Sequence, residues 1–294
     1  MSDKNKIVLG GAGFAALIAL AYTRLHTASF PVLQPRGVVG QKERNLILVA
    51  LALCAIVVIP VYVMLIGFAW KYRASNKSAR YEPDFDHSRL FESLWWGVPL
   101  LIISILAVIT WRSSHDLDPF RSLASSRPPL NVQVVSLQWK WLFIYPQQGV
   151  ASVNYLRIPV NTPVNFQITS DAPMNSFWIP QLGGQVYAMS GMSTELHLMA
   201  DQTGSYYGSS ANISGDGFAG MHFTADSLNQ QGFNNWVTQA RSNGGSLNLS
   251  SYSQLAKPSQ NNPVVSYGSV SDGLYSYVVN KFVTPPNFTP VEAL

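Results

Sequence analysis

The sequence predicts a membrane α-helical hairpin of two transmembrane helices, followed by an all-β Greek-key sandwich and a short C-terminal helical extension. Two uncharged stretches, residues 46–70 and 94–111, are long enough as helices to cross a hydrocarbon core of roughly 30 Å. Beyond residue 130 the apolar period becomes alternating, and short runs are separated by Pro, Gly and Asn. Hydrophobic residues make up 47% of the 294 residues and charged ones only 12%. This is apolar for a soluble protein, so part of the chain lies in a membrane.

Residues 1–28 have the features of a signal peptide or a short N-terminal anchor. Lys4 and Lys6 precede an uncharged segment over residues 7–22, and residues 19–21 are small enough to form a cleavage site. The uncharged segment is shorter than the roughly 20 residues of a full span. We expect either a cleaved signal or a retained anchor, and both place the following residues on the exported side.

The first predicted span, residues 46–70, contains the only cysteine of the chain, Cys54, and a proline, Pro60. Membrane helices tolerate proline where neighbouring groups satisfy the freed backbone. We interpret Cys54 as a small apolar packing residue. A single cysteine excludes a disulfide within the chain, a lipoprotein thioether ahead of Cys54 and a thiolate site outside the membrane.

The predicted loop between the spans, residues 71–93, is rich in basic residues. Its lysines and arginines are Lys71, Arg73, Lys77, Arg80 and Arg89. By the positive-inside rule this loop is cytoplasmic. The hairpin, residues 45–111, therefore has both outer ends on the exported face, and the chain beyond Arg112 is extracytoplasmic.

The net charge of +4 belongs to the membrane part of the chain. Residues 1–111 contain eleven Lys and Arg against six Asp and Glu, whereas residues 112–294 contain eight against nine. A nucleic-acid-binding domain would have a basic surface, which this balance excludes. The exported part also has no strong acidic surface for a basic cytochrome.

The exported domain, residues 128–226, follows a linker over residues 113–130 that is rich in serine and proline. Alternating apolar residues predict strands at residues 131–137, 140–145, 164–169, 194–198 and 220–224. Several short strands of this kind favour a Greek-key sandwich.

The C-terminal extension, residues 227–294, begins with a predicted helix over residues 227–241, with Ser227 as its N-cap. Residues 242–272 are rich in Ser, Asn and Gly, so we expect them to be irregular. A last helix is predicted over residues 273–282.

Residues 206–223, with the sequence YYGSSANISGDGFAGMHF, have the frame of a metal-binding loop without its ligands. Gly215, Gly217 and Gly220 indicate a tight turn between two strands. Polar or apolar residues occupy the positions where metal ligands would have to stand.

The region from about residue 45 to residue 241 resembles subunit II of the haem-copper respiratory oxidases. The matching motifs are FAWKYRASN at the end of the first span, Gln138-Trp139-Lys140-Trp141, Asn175-Ser176-Phe177, the YYG loop and Phe233-x-x-Trp236. The first motif is most similar to the bacterial ubiquinol oxidases of the cytochrome bo type. The resemblance implies that the sandwich is cupredoxin-like.

In the cytochrome c oxidising branch of this family, the sandwich holds a dinuclear copper centre. Its ligands are two cysteines, two histidines, a methionine and a backbone carbonyl, and the bridging thiolates share charge over both metals. The resemblance places these positions, in order along the chain, at Asn175, Ser210, Asn212, Ser214, Phe218 and Met221. A serine hydroxyl is a poor bridge for copper and phenylalanine offers no donor, so we expect no dinuclear copper.

Other candidate ligands in the sandwich are His197, His222, Met189, Met192 and Met221. No pattern in the sequence brings the two histidines together with an acid or a thiol. We interpret the histidines as bonded to backbone or solvent, and the methionines as packing residues.

Trp139 matches an aromatic residue through which electrons enter from cytochrome c in related oxidases. Without copper it has no acceptor in this domain, so we expect it to pack against the loop or against a partner subunit.

Glu92 is the candidate for a functional role in the hairpin. In related oxidases a glutamate here lies by the entrance of a proton pathway into subunit I, which implies a proton-collecting helper. The alternative is structural, because an acid in a first helical turn is favoured by the helix dipole and Arg89 is close enough to pair with it.

Taken together, the resemblance implies the noncatalytic subunit II of a proton-pumping ubiquinol oxidase in the bacterial inner membrane, with a periplasmic C-terminal domain. The chain itself would hold no cofactor, and the haems, the copper and the quinol site would lie in subunit I. Expected partners are subunit I, further small membrane subunits, ubiquinol and lipids, but neither nucleic acid nor cytochrome c. The alternatives are a cytochrome c oxidase subunit II with an atypical copper site and a membrane-anchored assembly or binding module.

Overall fold

The computed structural model describes residues 30–80 and 86–283. The expected signal peptide or anchor over residues 1–28 and the end of the chain from residue 284 lie outside the described residues. Two long helices come first, α1 (Val38–Lys71) and α2 (Arg89–Asp116), and both predicted spans are confirmed. Each helix extends beyond its uncharged stretch at both ends, so the predicted linker loses residues 113–116 to α2.

Both helices are long and apolar enough to cross a membrane, and no residue in their apolar windows is buried within the chain. Pro60 and Pro99 lie inside the helices, as expected for membrane spans whose backbone is repaired locally. The two helices therefore expose a large apolar surface.

The sandwich has two layers. A seven-stranded sheet has the order β11-β12-β3-β2-β1-β5-β8, and a five-stranded sheet has the order β4-β10-β9-β6-β7. The strands are β1 (Leu130–Leu137), β2 (Lys140–Tyr145), β3 (Val150–Val153), β4 (Tyr155–Pro159), β5 (Val164–Ser170), β6 (Asn175–Trp178), β7 (Val186–Ala188), β8 (Thr194–Leu198), β9 (Gly204–Ser210), β10 (His222–Leu228), β11 (Gly245–Leu247) and β12 (Val265–Val270). The five predicted strands correspond to β1, β2, β5, β8 and β10.

The core between the sheets is built on aromatic rings. Trp141 and Phe143 from β2 meet Phe177 from β6 and Phe223 from β10, with Phe177 and Phe223 stacked at 5.3 Å between ring centroids. Gly208 on β9 leaves room for this pair, because a Cβ atom there would lie 2.2 Å from the ring of Phe223. The rings thus fill the space between the two sheets beside β9 and β10, the paired strands that flank the candidate site.

The C-terminal extension forms a second core on the outer face of the seven-stranded sheet. Helices α3 (Gln230–Asn243), α4 (Leu249–Leu255) and α5 (Leu274–Asn280) alternate with β11 and β12. Phe233 and Trp236 of α3 pack in the first core, and the elements after α3 form the second. Tyr252 and Val278 are buried against Val135 and Leu142 of the sheet. The expectation that residues 242–272 are irregular is wrong, because burial against this sheet stabilises elements too short to show a period in the sequence.

The predicted N-cap of the first helix in the extension is also wrong. Ser227 lies in β10, where it pairs with Ile158 of β4. The helix begins two residues after this strand ends, and the side chain of Asn229 caps it by accepting a 2.7 Å hydrogen bond from the backbone N–H of Gly232. The predicted last helix is confirmed as α5.

Two buried charges attach the extension to the sandwich. Lys140 on β2 donates from Nζ to the backbone oxygen of Lys257 at 2.8 Å and to the hydroxyl of Ser259. Burial lowers the pKa of Lys140 below its ordinary value of 10.5. The buried carboxylate of Asp171 accepts from Lys281 and from the hydroxyl of Tyr252, each at 2.7 Å.

The beginning of α1 lies directly against the sandwich. The backbone N–H of Gly40 donates to the oxygen of Leu182 at 2.9 Å, and Glu43 accepts from the N–H of Gly184 at 2.9 Å. Gly37 forms an isolated bridge with Ala200. The helix extension that the hydropathy pattern missed, residues 38–45, is therefore the element that joins the hairpin to the exported domain.

Candidate functional site: the loop between β9 and β10

The loop is shorter than the sequence suggested. Strand β9 continues to Ser210 and β10 begins at His222, and the two pair from Gly204↔Ser227 to Ser209↔His222. Residues 211–221 remain as the loop and close with a 3₁₀ turn at Phe218–Gly220. The candidate site is this loop together with the start of β6.

Ser210, where the resemblance places the first cysteine, uses its full hydrogen-bonding capacity within the protein. Its hydroxyl donates to Oδ1 of Asn175 at 3.0 Å and accepts from the backbone N–H of Ser176 at 3.4 Å and of Asn212 at 3.5 Å. The backbone oxygen of Asn212, at 3.2 Å, is a second possible acceptor for the same proton. The one donor and both acceptor sites of the hydroxyl thus have contacts within the protein, of which the two accepted ones are long. Its backbone N–H also donates to the oxygen of Met221 at 3.2 Å.

Asn175 and Asn212, at the positions of a histidine and of the carbonyl donor, complete this cluster. The amide of Asn175 donates to the oxygen of Pro173 at 2.9 Å, and the amide of Asn212 donates to the oxygen of Met174 at 2.8 Å. The amide of Asn212 thereby fastens the loop to the approach of β6, whereas the amide of Asn175 bonds within this approach. The structure brings these two residues and Ser210 together as a hydrogen-bonded brace.

Ser214, at the position of the second cysteine, is held by Trp139 through its backbone. The indole N–H of Trp139 donates to the oxygen of Ser214 at 3.2 Å. The ring also lies over Gly217, where a Cβ atom would be 2.3 Å from it. The hydroxyl of Ser214 is buried and has no hydrogen-bond partner among the described residues. The prediction that Trp139 packs against the loop is confirmed.

Phe218 and Met221 occupy the last two ligand positions. Phe218 begins the 3₁₀ turn and offers no donor atom, while Met221 is buried and packs in the aromatic core. The six positions thus present hydroxyl, amide, phenyl and thioether groups where a dinuclear copper centre needs thiolates and imidazoles. The residues present do not fit such a centre.

The two histidines of the sandwich lie on different sheets. His197, on β8 of the seven-stranded sheet, contacts the backbone oxygen of Pro119 through Nδ1 at 2.9 Å. His222, on β10 of the other sheet, is exposed and stacks on Tyr207. Within residues 30–80 and 86–283, no group of three or more His, Cys, Asp and Glu side chains could hold a metal ion. The mononuclear alternative at His197, His222, Met189, Met192 and Met221 therefore receives no geometric support.

Glu92 lies in the first turn of α2, at the end of the hairpin that carries the basic loop. Its carboxylate contacts Nδ1 of His87, and its side chain is 34% exposed. The partner expected from the sequence was Arg89. His87 lies just ahead of the helix, and its contact keeps the carboxylate at the helix N-terminus, where the helix dipole favours a negative charge.

Sequence reasoning missed the buried Lys140 and the buried Asp171 as fastening points. Lys140 lies between Trp139 and Trp141 at the start of a strand. A cation between two large aromatic residues is the sequence feature that could have indicated a buried lysine. Asp171 follows β5 directly and gave no comparable signal.

Comparison with known proteins gives matches along most of the chain. The family model described as the periplasmic domain of cytochrome c oxidase subunit II matches residues 148–228, and the one described as the COX aromatic rich motif matches residues 241–286. The second match coincides with α4, β12 and α5, the elements of the second core.

Relatives with similar sequences carry ubiquinol oxidase names. The cytochrome bo(3) ubiquinol oxidase subunit 2 of Pseudomonas aeruginosa is 53% identical over 84% of this chain and 75% of its own. That of Pseudomonas putida is 49% identical over 92% of this chain and 86% of its own. The ubiquinol oxidase subunit 2 of Acetobacter aceti is 46% identical over 95% and 91%. The chain therefore belongs to the subunit 2 family of the bacterial ubiquinol oxidases, within the cytochrome c oxidase subunit II superfamily.

Proposed function

We propose that the chain is the noncatalytic subunit II of a proton-pumping terminal oxidase that oxidises ubiquinol and reduces oxygen to water. Family membership supports the assignment to such a complex. The contacts between α1 and the sandwich support a role in which the hairpin holds the exported domain over a partner subunit.

The observation that carries this proposal is the brace at Ser210. Its hydroxyl is saturated by Asn175, Ser176 and Asn212, so the loop is closed by hydrogen bonds that use the ligand positions themselves. A loop of this kind keeps the shape of the fold without a metal. The electrons of the reaction then do not pass through the sandwich.

The cofactors and the electron donor follow from this arrangement. The haems, the copper and the quinol site belong to subunit I, and this chain contributes none of their ligands. Ubiquinol reaches subunit I through the lipid, so an electron-entry copper and a docking surface for cytochrome c are not needed.

The location in the cell follows from the two spans and the exported domain. The chain lies in the bacterial inner membrane with its sandwich in the periplasm, beside subunit I and further small membrane subunits. Glu92 faces the cytoplasmic side in this orientation, where its carboxylate assists proton collection for subunit I.

The experiment that tests the proposal is oxygen uptake by the purified complex with each of two donors. Ubiquinol is expected to support turnover, and reduced cytochrome c is not. Turnover with cytochrome c would favour an oxidase subunit with an atypical copper site, and recovery of the chain without any haem-containing partner would favour an assembly module.

A further inference from the structure

A groove runs between the two spans at the end that meets the sandwich. Its inner part is a cavity of about 320 Å³ lined by apolar residues of both helices, with Thr110, Ser113 and Ser114 on one side. Its outer part is a cavity of about 330 Å³ between the helix ends, the segment 116–124 and the sandwich. Leu117 lines both cavities, so they adjoin at this residue.

The groove crosses the boundary between hydrocarbon and water. The uncharged stretches begin at Leu46 and end at Trp111, and the walls of the inner cavity on α1 are Leu46, Val49 and Ala50. The outer cavity is lined by α1 residues that precede Leu46. One half of the groove thus lies at the depth of acyl chains and the other at the depth of lipid headgroups.

The outer cavity presents both signs of charge. Lys42 and Arg121 bring cationic groups, and Glu43, Asp116 and Asp118 bring carboxylates. Nη1 of Arg121 lies 3.1 Å from Oδ1 of Asp116, and both side chains are 61% exposed. An ion pair this exposed is weak, so either group can pair with a ligand instead. A ligand with one anionic and one cationic group matches this wall better than an ion of either sign.

The lining of the inner cavity is mostly apolar and suits an acyl chain. An acyl chain can follow the gap between the spans. In a membrane, close packing is the main source of favourable free energy for an apolar chain that enters such a gap, because the bulk lipid that it leaves is equally apolar.

We propose that this groove binds one phospholipid with a zwitterionic head that carries a primary ammonium group, of the phosphatidylethanolamine class. Its acyl chain lies between α1 and α2, its phosphate pairs with Lys42 and Arg121, and its ammonium group donates hydrogen bonds to the carboxylates. The lipid fills the gap that the hairpin leaves beneath the sandwich. The proposal does not depend on which electron donor the complex uses.

The test uses the full chain, purified with its bound subunits and placed in lipid nanodiscs. The probes are phosphatidylethanolamine, phosphatidylcholine and phosphatidylglycerol, each with a photoactivatable diazirine on one acyl chain. After illumination, labelled peptides are identified by mass spectrometry. We expect the ethanolamine probe to label the walls of the inner cavity, residues 46–50 and 106–117, more strongly than the other two probes do.

Two pairs of matched variants locate the site. Ala50→Leu fills the inner cavity and should lower this labelling about tenfold, which corresponds to the free-energy cost of overpacking. Ala52 does not line the cavity, so Ala52→Leu should leave the labelling unchanged. Lys42→Gln should lower it about threefold, the factor for one partly exposed ion pair, whereas Lys71→Gln at the far end of α1 should not.

Equal labelling by all three probes would overturn the headgroup assignment. Absence of labelling in the unmodified protein would overturn the site altogether. Equal yields in Ala50→Leu and Ala52→Leu would likewise contradict it. The oxygen uptake of each variant shows that the complex has assembled, so lost labelling cannot be confused with misfolding.

Discussion

At position 210, a hydroxyl group makes the contacts that shape the loop between β9 and β10. Replacing Ser210 by alanine leaves the amide oxygen of Asn175 and two backbone N–H groups without their partner. Buried groups left unsatisfied cost about 1–3 kcal/mol. We expect Ser210→Ala to lower the free energy of unfolding of the exported domain by about this amount, measured by thermal unfolding of the purified complex.

Ser214 provides the matched control for this prediction. Its hydroxyl is buried and has no hydrogen-bond partner among the described residues, so its removal breaks no bond. Ser214→Ala should change the stability by less than about 0.5 kcal/mol. Equal losses in the two variants would show that the hydrogen bonds of Ser210 do not hold the loop.

Glu92 permits a test of function at the level of one carboxylate. Glu92→Gln removes the negative charge but keeps the size of the side chain. Turnover should fall about threefold at alkaline pH, where proton delivery limits the rate. This factor corresponds to the loss of one partly exposed charge interaction. The measurement is the pH profile of oxygen uptake with ubiquinol.

Two controls separate this role from a structural one. His87→Gln removes the imidazole that contacts Glu92 and keeps the carboxylate, so it should leave the profile unchanged if the charge of Glu92 itself matters. Glu195→Gln removes an exposed carboxylate from the sandwich and should have no effect. A normal profile for Glu92→Gln at every pH would remove the proposed role.

At the level of elements, the contact between α1 and the sandwich depends on a glycine. A Cβ atom on Gly37 would lie 2.7 Å from the backbone oxygen of Met199, so the helix start would have to move. Gly37→Ala should weaken this contact by about 1–3 kcal/mol, as overpacking does elsewhere. Trypsin cleavage after the exposed Arg36 should then become faster.

Gly67 on the same helix is the control. A Cβ atom there meets nothing within 4 Å, so Gly67→Ala should leave the cleavage rate unchanged. If both variants were cleaved at the same rate as the unmodified chain, Gly37 would not be needed for the contact.

The sequence predicted the elements whose pattern is strong and local. The spans, β1, β2, β5 and β8 each carry a long apolar run or a clear alternation. Strand β3, Val-Ala-Ser-Val, is buried throughout and too short for a period to show. Strand β9 is rich in glycine and serine, so it was taken for part of the loop, and only its pairing with β10 defines it as a strand.

The extension was mispredicted for a related reason. Helices α4 and α5 have seven residues each, which is too few to be stable alone. Their stability comes from Tyr252 and Val278 in the second core and from the contacts of Lys140 and Asp171, which are far away in sequence. The ligand positions of the candidate site could be located from motif spacing, but the brace at Ser210 required the structure.

Across the whole molecule, the exported domain is held at three places. The hairpin contacts it through residues 36–43, the aromatic core joins its two sheets, and the extension covers its outer face. The loop between β9 and β10 contributes one packing residue, Met221, to the aromatic core. We therefore expect the fold to keep its shape without a metal ion in this loop.

The most direct test of the central claim, that the sandwich is braced by hydrogen bonds and holds no dinuclear copper, is the ratio of copper to haem in the purified complex. Elemental analysis gives the copper content, and the pyridine haemochrome spectrum gives the haem content. The ratio should equal that expected from subunit I alone and should not change in Met221→Leu, which removes the one retained ligand type. Additional copper that is lost in Met221→Leu would contradict the account.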